Sequence, residues 1–100
     1  MEELFYMKDK IRHFIVKSSY LPEEKVKNET LIFAQGILDS MGFITLINFL
    51  EESFSLKAND SDLMETNFES VNAIAEFVVR KLQTEHVMIE SRLLKTAQEI

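Results

Sequence analysis

The chain has 100 residues, 46% of them hydrophobic, which suits one domain with a packed core and makes disorder an unlikely state for it to adopt. Its net charge of −6 is opposite in sign to the Lys and Arg excess of nucleic-acid-binding proteins. An anionic membrane would repel the protein for the same reason, and a basic protein partner is the better electrostatic match. Two glycines and one proline favour helices joined by few loops, and the absence of cysteine excludes disulfides and thiolate metal sites.

The first amphipathic helix is predicted over about residues 3–18. Its apolar side chains recur at helical spacing, namely Leu4, Met7, Ile11, Phe14 and Ile15. The periodicity then breaks over residues 19–38, where Pro22 disfavours a helix and Gly36 marks a turn. A loop this long in a small domain is usually functional, and the apolar cluster Leu31, Ile32 and Phe33 is expected to attach it to the core.

The second helix is predicted over about residues 40–53, with Asp39 as its N-cap. Its inward stripe consists of Phe43, Leu46, Ile47, Leu50 and Phe54. Its outer face carries Met41, Ile44, Thr45, Asn48, Glu51 and Glu52. An exposed apolar strip beside acids suits transient docking to enzymes with basic patches, although Met41 or Ile44 could instead close the bundle against the long loop.

Residues 57–62 are polar and turn-like, and within them Asp60, Ser61 and Asp62 are interpreted as a solvated turn. A short helix is expected to follow within residues 63–68. The last clear helix begins near Ser70, a plausible N-cap, and buries Val71, Ile74, Ala75, Val78 and Leu82. The predicted core joins this face, Phe68 and the second helix. Residues 83–100 keep a weaker periodicity and are expected to form a helical or frayed extension. The fold class is therefore all-α: a four-helix bundle of three main helices, one short helix and a long first loop.

The stretch Gly36-Ile37-Leu38-Asp39-Ser40-Met41-Gly42 is the candidate functional motif. Ser40 lies in the first turn of a helix, where unpaired amides and the helix dipole would stabilise an attached phosphate. A serine after an aspartate at a helix start is most often only a capping residue. No nearby histidine would activate Ser40 as a catalytic nucleophile, so no catalytic residue is assigned.

The segment Leu38-Asp39-Ser40-Met41-Gly42-Phe43, followed by Leu46, Leu50-Glu51-Glu52 and Phe54, resembles the acyl carrier protein family. The downstream Asn67-Phe68-Glu69-Ser70-Val71-Asn72-Ala73-Ile74 is similar to that family's third helix running into its fourth. The resemblance covers about residues 4–82 and implies an acyl-carrier-like bundle, with residues 1–82 as the carrier domain.

This resemblance implies that Ser40, beside the motif residue Asp39, takes 4′-phosphopantetheine from coenzyme A through a separate phosphopantetheinyl transferase. The chain would then be a phosphoprotein that carries acyl or aminoacyl thioesters and is not an enzyme. Its partners would be an acyl- or aminoacyl-loading ligase and downstream acyl-transfer enzymes, docking on Met41, Ile44, Asn48, Glu51 and Glu52. Gly42, Thr45 and Asn48 stand where housekeeping fatty-acid carriers are usually acidic. The chain thus looks more like D-alanyl carriers or carriers of dedicated lipid, polyketide or polysaccharide-modifying pathways.

No metal site is expected. His13 and His86 lie far apart without ligand-spaced companions, and Asp60, Ser61 and Asp62 lack the rest of a calcium loop. The sequence has no signal-peptide pattern and no apolar run long enough to span a bilayer, so a cytoplasmic monomer without membrane insertion is expected. The alternative is an unmodified helical protein–protein interaction module in which Ser40 only caps a helix.

Overall fold

Three α-helices carry the fold of the computed structural model, which describes residues 2–83. Helix α1 spans Glu2–Ser19 and helix α2 spans Ser40–Phe54. The third, α3, is helical from residue 71 to residue 83, the last residue described. Single 3₁₀ turns lie at Glu23–Lys25, Asp60–Asp62 and Glu65–Asn67, and residues 2–83 contain no strand. The all-α fold with a long first loop is confirmed, whereas the predicted extension from residue 84 onward lies outside the described residues.

The core forms where the apolar stripes of the three helices meet. The predicted core residues Leu46, Leu50, Phe68, Val71, Ile74 and Val78 are all at most 1% exposed, and Ile47 and Phe54 pack against them half-buried. Ile11 and Ile15 supply the buried side of α1, but Leu4, in the first turn of α1, is 38% exposed. The apolar stripe of α1 therefore packs against the core from Met7 onward, whereas Leu4 is exposed.

The long first loop is attached to the start of α3 through both backbone and side chains. The amide of Ile32 donates to the carbonyl of Glu69 at 2.9 Å, and the amide of Asn72 donates to the carbonyl of Asn28 at 3.0 Å. The Ile32 side chain is fully buried, whereas Leu31 is 44% exposed. The loop is thus held to the core as predicted, but by Ile32 and the half-buried Phe33 rather than by Leu31.

The predicted short helix at residues 63–68 takes a different form. Leu63 and Met64 separate two 3₁₀ turns, Asp60–Asp62 and Glu65–Asn67. The Asp62 carboxylate accepts the Asn59 amide at 2.8 Å, and the Asn67 side-chain amide donates to the Asp62 carbonyl at 2.8 Å. The first bond caps the Asp60–Asp62 turn, and the second joins this turn to Glu65–Asn67. The backbone therefore does not continue as one helix.

The interpretation of Asp60, Ser61 and Asp62 as a solvated turn is wrong for Asp62, which is half-buried and paired. The Lys81 Nζ lies 2.9 Å from the Asp62 carboxylate, and the Arg80 guanidinium donates to the Asn67 side chain at 2.9 Å. Both cations are on α3. The amide of Asn59, followed by Lys81, lowers the pKa of Asp62 below the ordinary 3.8, because both stabilise the charged carboxylate. The segment from residue 60 to residue 67 is therefore fastened to α3 by polar contacts.

Candidate functional site at the start of α2

Ser40 is the first residue of α2, and its position follows from the residues on either side. Asp39 has an extended backbone, and its carboxylate accepts the Gly42 amide at 2.9 Å, as predicted for the N-cap. The amide of Phe43 donates to the Asp39 carbonyl at 2.9 Å, which is the first bond of the helix. Leu38 is 6% exposed, whereas Ser40 is exposed. The chain therefore enters the helix from a buried leucine and turns the serine toward solvent.

Two glycines shape the approach to this serine. Gly36 has a φ of +69°, a left-handed conformation that residues other than glycine rarely adopt. The turn that the sequence predicted at Gly36 is therefore present. A Cβ on Gly42 would lie 3.1 Å and 3.2 Å from two Leu38 side-chain carbons. Gly42 thus lets Leu38 pack closely against the first turn of α2, a packing role that its sequence position alone does not reveal.

An open cleft lies directly beside Ser40, with a volume of about 410 Å³. Besides Ser40, it is lined by Phe33, Leu38, Asp39, Phe43, Leu63 and Glu65. Phe33 comes from the end of the long first loop, and Leu63 and Glu65 come from the segment between α2 and α3, which is remote in sequence from the motif. Sequence reasoning missed them as neighbours of Ser40, because only the folded loops bring them there.

The outer face of α2 remains free of the bundle at most of its predicted positions. Met41 is 70% and Ile44 is 54% exposed, so neither closes the bundle against the long loop. Asn48 and Glu52 are also exposed. Glu51 differs, because its partly buried carboxylate accepts the Ala58 amide at 2.9 Å and holds the chain that follows α2.

Within residues 2–83, no hydrogen bond joins the Ser40 hydroxyl to a base. His13 pairs instead with Glu23 at 3.4 Å on the surface, and His86 lies outside the described residues. The described part of the chain contains no group of three His, Asp or Glu side chains that could hold a metal ion. It also has no helix with the length and apolar character needed to cross a membrane.

Residues 9–78 match the protein-family model described as phosphopantetheine attachment site. The chain belongs to this family. The match covers more than half of the chain and includes the whole of α2 with its N-terminal serine. A separate comparison with curated proteins returned no match. A member of this family holds a site for covalent 4′-phosphopantetheine, and carrier domains of this kind are generally non-catalytic and work with a transferase and biosynthetic enzymes.

The residues at the start of α2 fit such a group. A phosphate on the Ser40 oxygen would lie at the N-terminal end of the 15-residue helix α2. The amides of Ser40 and Met41 at this end have no acceptor within the helix. The exposure of Ser40 leaves room for an arm to extend into solvent. The Asp39 carboxylate is already held by the Gly42 amide.

Proposed function

We propose that Ser40 is the attachment residue for 4′-phosphopantetheine and that the chain is a non-enzymatic carrier of acyl or aminoacyl groups as thioesters. The observation that carries this proposal is an exposed serine in the first turn of an α-helix, inside the family-matched region. The arm supplies a terminal thiol on which the carried group forms its thioester. The chain itself supplies a fixed, accessible oxygen.

Ser70 is the other hydroxyl at the start of an α-helix in the described chain, and its environment supports the choice of Ser40. Ser70 is only 7% exposed, and its oxygen accepts the Ala73 amide at 3.1 Å as the N-cap of α3. A transferase could not reach that oxygen without opening the core. At Ser40 the capping bond is made by the preceding Asp39, so the serine oxygen stays available.

The attachment chemistry places a clear demand on the transferase. Ser40 Oγ forms a new bond to the phosphorus adjoining pantetheine, the pyrophosphate bond of coenzyme A breaks, and adenosine 3′,5′-bisphosphate leaves. The hydroxyl proton must pass to a base on the transferase, since no base contacts Ser40 within residues 2–83. The carrier therefore contributes position and access, and the transferase contributes activation.

The outer face of α2 supports a docking surface for this transferase, for the loading ligase and for downstream acyl-transfer enzymes. It combines the exposed Met41 and Ile44 with Asn48, Glu52 and the partly engaged Glu51, beside the attachment residue. Exposed apolar side chains next to acids suit partners with a basic rim around an apolar patch. Of the two acids, Glu52 is the better one to test, because it is exposed, whereas Glu51 accepts the Ala58 amide.

Reversal of this charge, Glu52→Lys, should slow loading by a partner enzyme at low salt and leave thermal unfolding unchanged. Glu29→Lys is the matched control, since Glu29 is an exposed loop residue and the change in net charge is identical. Equal loading rates for both variants at low salt would remove Glu52 from the docking surface.

The type of carrier is also part of this proposal. Gly42, Thr45 and Asn48 in place of acids on α2 support a specialised carrier, D-alanyl-like or belonging to a dedicated lipid, polyketide or polysaccharide-modifying pathway. We further propose that residues 1–82 form the carrier domain, with 83–100 as an extension, and that the protein works as a cytoplasmic monomer. The family match lies wholly within the first of these ranges, which supports that boundary.

Intact-mass analysis tests the attachment directly. The purified chain is incubated with coenzyme A, Mg²⁺ and a broad-specificity phosphopantetheinyl transferase, and it should gain the mass of one arm. Ser40→Ala should gain none, whereas Ser61→Ala, which removes an exposed hydroxyl from the Asp60–Asp62 turn, should gain one arm. A wild-type chain that gains no mass would instead indicate an unmodified helical interaction module. Loading of Ser40→Ala would place the attachment on another residue.

A further inference from the structure

A groove between α1 and α2 lies on a surface that the attachment of the arm does not use. It is open to solvent, and its volume is about 480 Å³. Six of its lining residues come from α1, and the seventh, Phe49, comes from α2. None of them lines the cleft beside Ser40 or belongs to the proposed docking surface on the outer face of α2. This groove, called the α1 groove, is therefore a separate surface of the bundle.

Aromatic side chains form the apolar part of the α1 groove. The rings of Phe14 and Phe49 stack with centroids 4.2 Å apart and planes inclined by 15°, and both residues are only half-buried. Tyr6, two helical turns before Phe14, lines the same groove and is 67% exposed. Aromatic residues are enriched in protein–protein interfaces, because they present a large and rigid area for contact. The groove therefore offers contact area to an apolar side chain of a partner.

The charge of the α1 groove is opposite in sign to that of the whole chain. Residues 10–17 contain two lysines, one arginine and one histidine but no acidic residue, whereas the net charge of the chain is −6. Three of these side chains, Lys10, His13 and Lys17, are exposed and line the groove. Their spacing of three and four residues places them on one face of the helix. An acidic chain thus presents a basic helix face.

Two acidic side chains at this face are already paired. Asp9 also lines the groove, but its carboxylate accepts the Arg12 guanidinium at 3.1 Å. Glu23, from the long first loop, lies 3.4 Å from the Nδ1 atom of His13. By contrast, neither lysine of the groove forms an ion pair within residues 2–83. The groove therefore keeps two cations available to a partner.

We propose that the α1 groove is a second docking surface and that it binds an acidic segment of a partner protein that carries an apolar anchor residue. Lys10 and Lys17 attract the carboxylates of this segment, because opposite charges steer and orient the encounter. The aromatic side chains of the groove contact the anchor and exclude water from it. An anionic membrane or a nucleic acid would also face the negative charge of the remaining chain, whereas a short segment contacts only the groove. The outer face of α2 carries acids, so the two surfaces suit different partners.

Fluorescence anisotropy with a labelled synthetic peptide tests the proposal. The peptide consists of glutamates around one central phenylalanine, and the protein is the full chain, both wild type and Ser40→Ala. Both proteins should bind it at low salt, and binding should weaken as salt is added, because salt screens the lysines. A peptide with alanine in place of the phenylalanine should bind about fivefold more weakly, and a peptide with lysines in place of the glutamates should not bind. Equal binding of the phenylalanine and alanine peptides would overturn the anchor.

Charge reversal locates the binding on the groove. Lys17→Glu should weaken binding by roughly fivefold at low salt, because it replaces attraction with repulsion. Lys17 is the better lysine to change, since the Lys10 Nζ lies over the Phe54 ring, 5.5 Å from its centroid. Lys27→Glu is the matched control, because Lys27 is exposed, does not line the groove and gives the same change in net charge. Equal weakening by both variants would overturn the groove, since it would reflect net charge alone.

The aromatic contribution is tested at Tyr6. Tyr6→Ala should weaken binding of the phenylalanine peptide by about fivefold, and it should fold because Tyr6 is 67% exposed. Tyr20→Ala removes a 94% exposed tyrosine outside the groove and should bind as wild type does. Amide NMR should show shifts at His13 and Phe49 when the peptide is added and none at Leu63. Unchanged binding by Tyr6→Ala together with shifts outside the groove would overturn the proposal.

Two other occupants of the groove are decided by separate measurements. Vesicles of phosphatidylcholine with phosphatidylserine should not bind the chain; vesicle binding that Lys17→Glu abolishes, without peptide binding, would make the groove a membrane contact and overturn the proposal. Sedimentation should show a monomer, and a dimer that Lys17→Glu dissociates would overturn it in favour of an interface between copies. A folded chain that takes the arm but binds no peptide overturns the groove and leaves Ser40 attachment intact. A chain that binds the peptide without taking the arm supports the groove and overturns the attachment alone.

Discussion

Substitution of Glu51 best distinguishes a structural role from a docking role on the outer face of α2. Its carboxylate Oε2 accepts the Ala58 amide at 2.9 Å across seven residues of sequence, in a partly buried position. This bond holds the turn after α2, where Ser55 takes a left-handed conformation with φ of 52°. Glu51→Ala removes a charged acceptor and leaves the Ala58 amide without its partner. We expect a loss of about 1–2 kcal/mol in the free energy of unfolding, because such an amide is only partly shielded from water.

Chemical and thermal denaturation measure this loss. For a domain of this size, about 1–2 kcal/mol corresponds to a melting temperature lower by roughly 4–16 °C. Glu51→Gln keeps an oxygen acceptor and should lose about half as much, since the bond becomes neutral. The neighbouring Glu52→Ala is the matched control and should stay within about 0.5 kcal/mol of wild type. Equal stability of the Glu51→Ala and Glu52→Ala variants would refute the structural role assigned to the Ala58 bond.

Three further changes test the local physics around the site. Asp39→Ala removes the N-cap bond to the Gly42 amide and should cost about 1 kcal/mol of unfolding free energy by urea titration, whereas Asp39→Asn should retain most of it. Gly42→Ala should fail to give the gain of about 0.5–1 kcal/mol usual for glycine in a helix, because the new Cβ crowds Leu38; a full gain would contradict the close packing. Because the folded pKa of Asp62 lies below 3.8, its stabilisation is complete at neutral pH and is lost as pH falls from 3.8 through that lower value. The stability difference between wild type and Asp62→Asn should therefore shrink in acid, and a difference independent of pH would refute the stabilisation of the charged Asp62 carboxylate by the Asn59 amide and Lys81.

Helical periodicity was sufficient to predict the three main helices. Helix α2 was expected over residues 40–53 and spans Ser40–Phe54, because its N-cap and apolar stripe are both local signals. The segment around Asp62 was not predicted in its observed form. Its 3₁₀ turns are held to α3 by Lys81, 19 residues after Asp62, and by Arg80, 13 residues after Asn67, and helical periodicity does not record such contacts.

The candidate site was likewise predicted only in the part that depends on residues adjacent in sequence. The positions of Asp39 and Ser40 followed from residues adjacent in sequence, whereas the cleft required Phe33, Leu63 and Glu65 from separate loops. The proposed docking face rests on helical geometry, which predicts the direction of a side chain but not its hydrogen bonds. For this reason Glu51 was grouped with Glu52, although the Ala58 amide binds only the first of them.

At the start of α2 an exposed serine follows a backbone that several contacts hold in place. Three features hold the first turn in place. Leu38 is buried directly before the N-cap, it packs closely against Gly42, and the Asp39 carboxylate accepts the Gly42 amide. None of these contacts uses the Ser40 side chain, so its oxygen stays exposed while its position is defined. If the proposed docking surface is correct, a partner enzyme that contacts Met41 or Ile44 would also find the Ser40 oxygen at a set distance, as group transfer between two proteins requires. Loosening this turn, for example by Asp39→Ala, should therefore slow arm attachment by more than the loss of stability accounts for, measured on the folded fraction at low temperature.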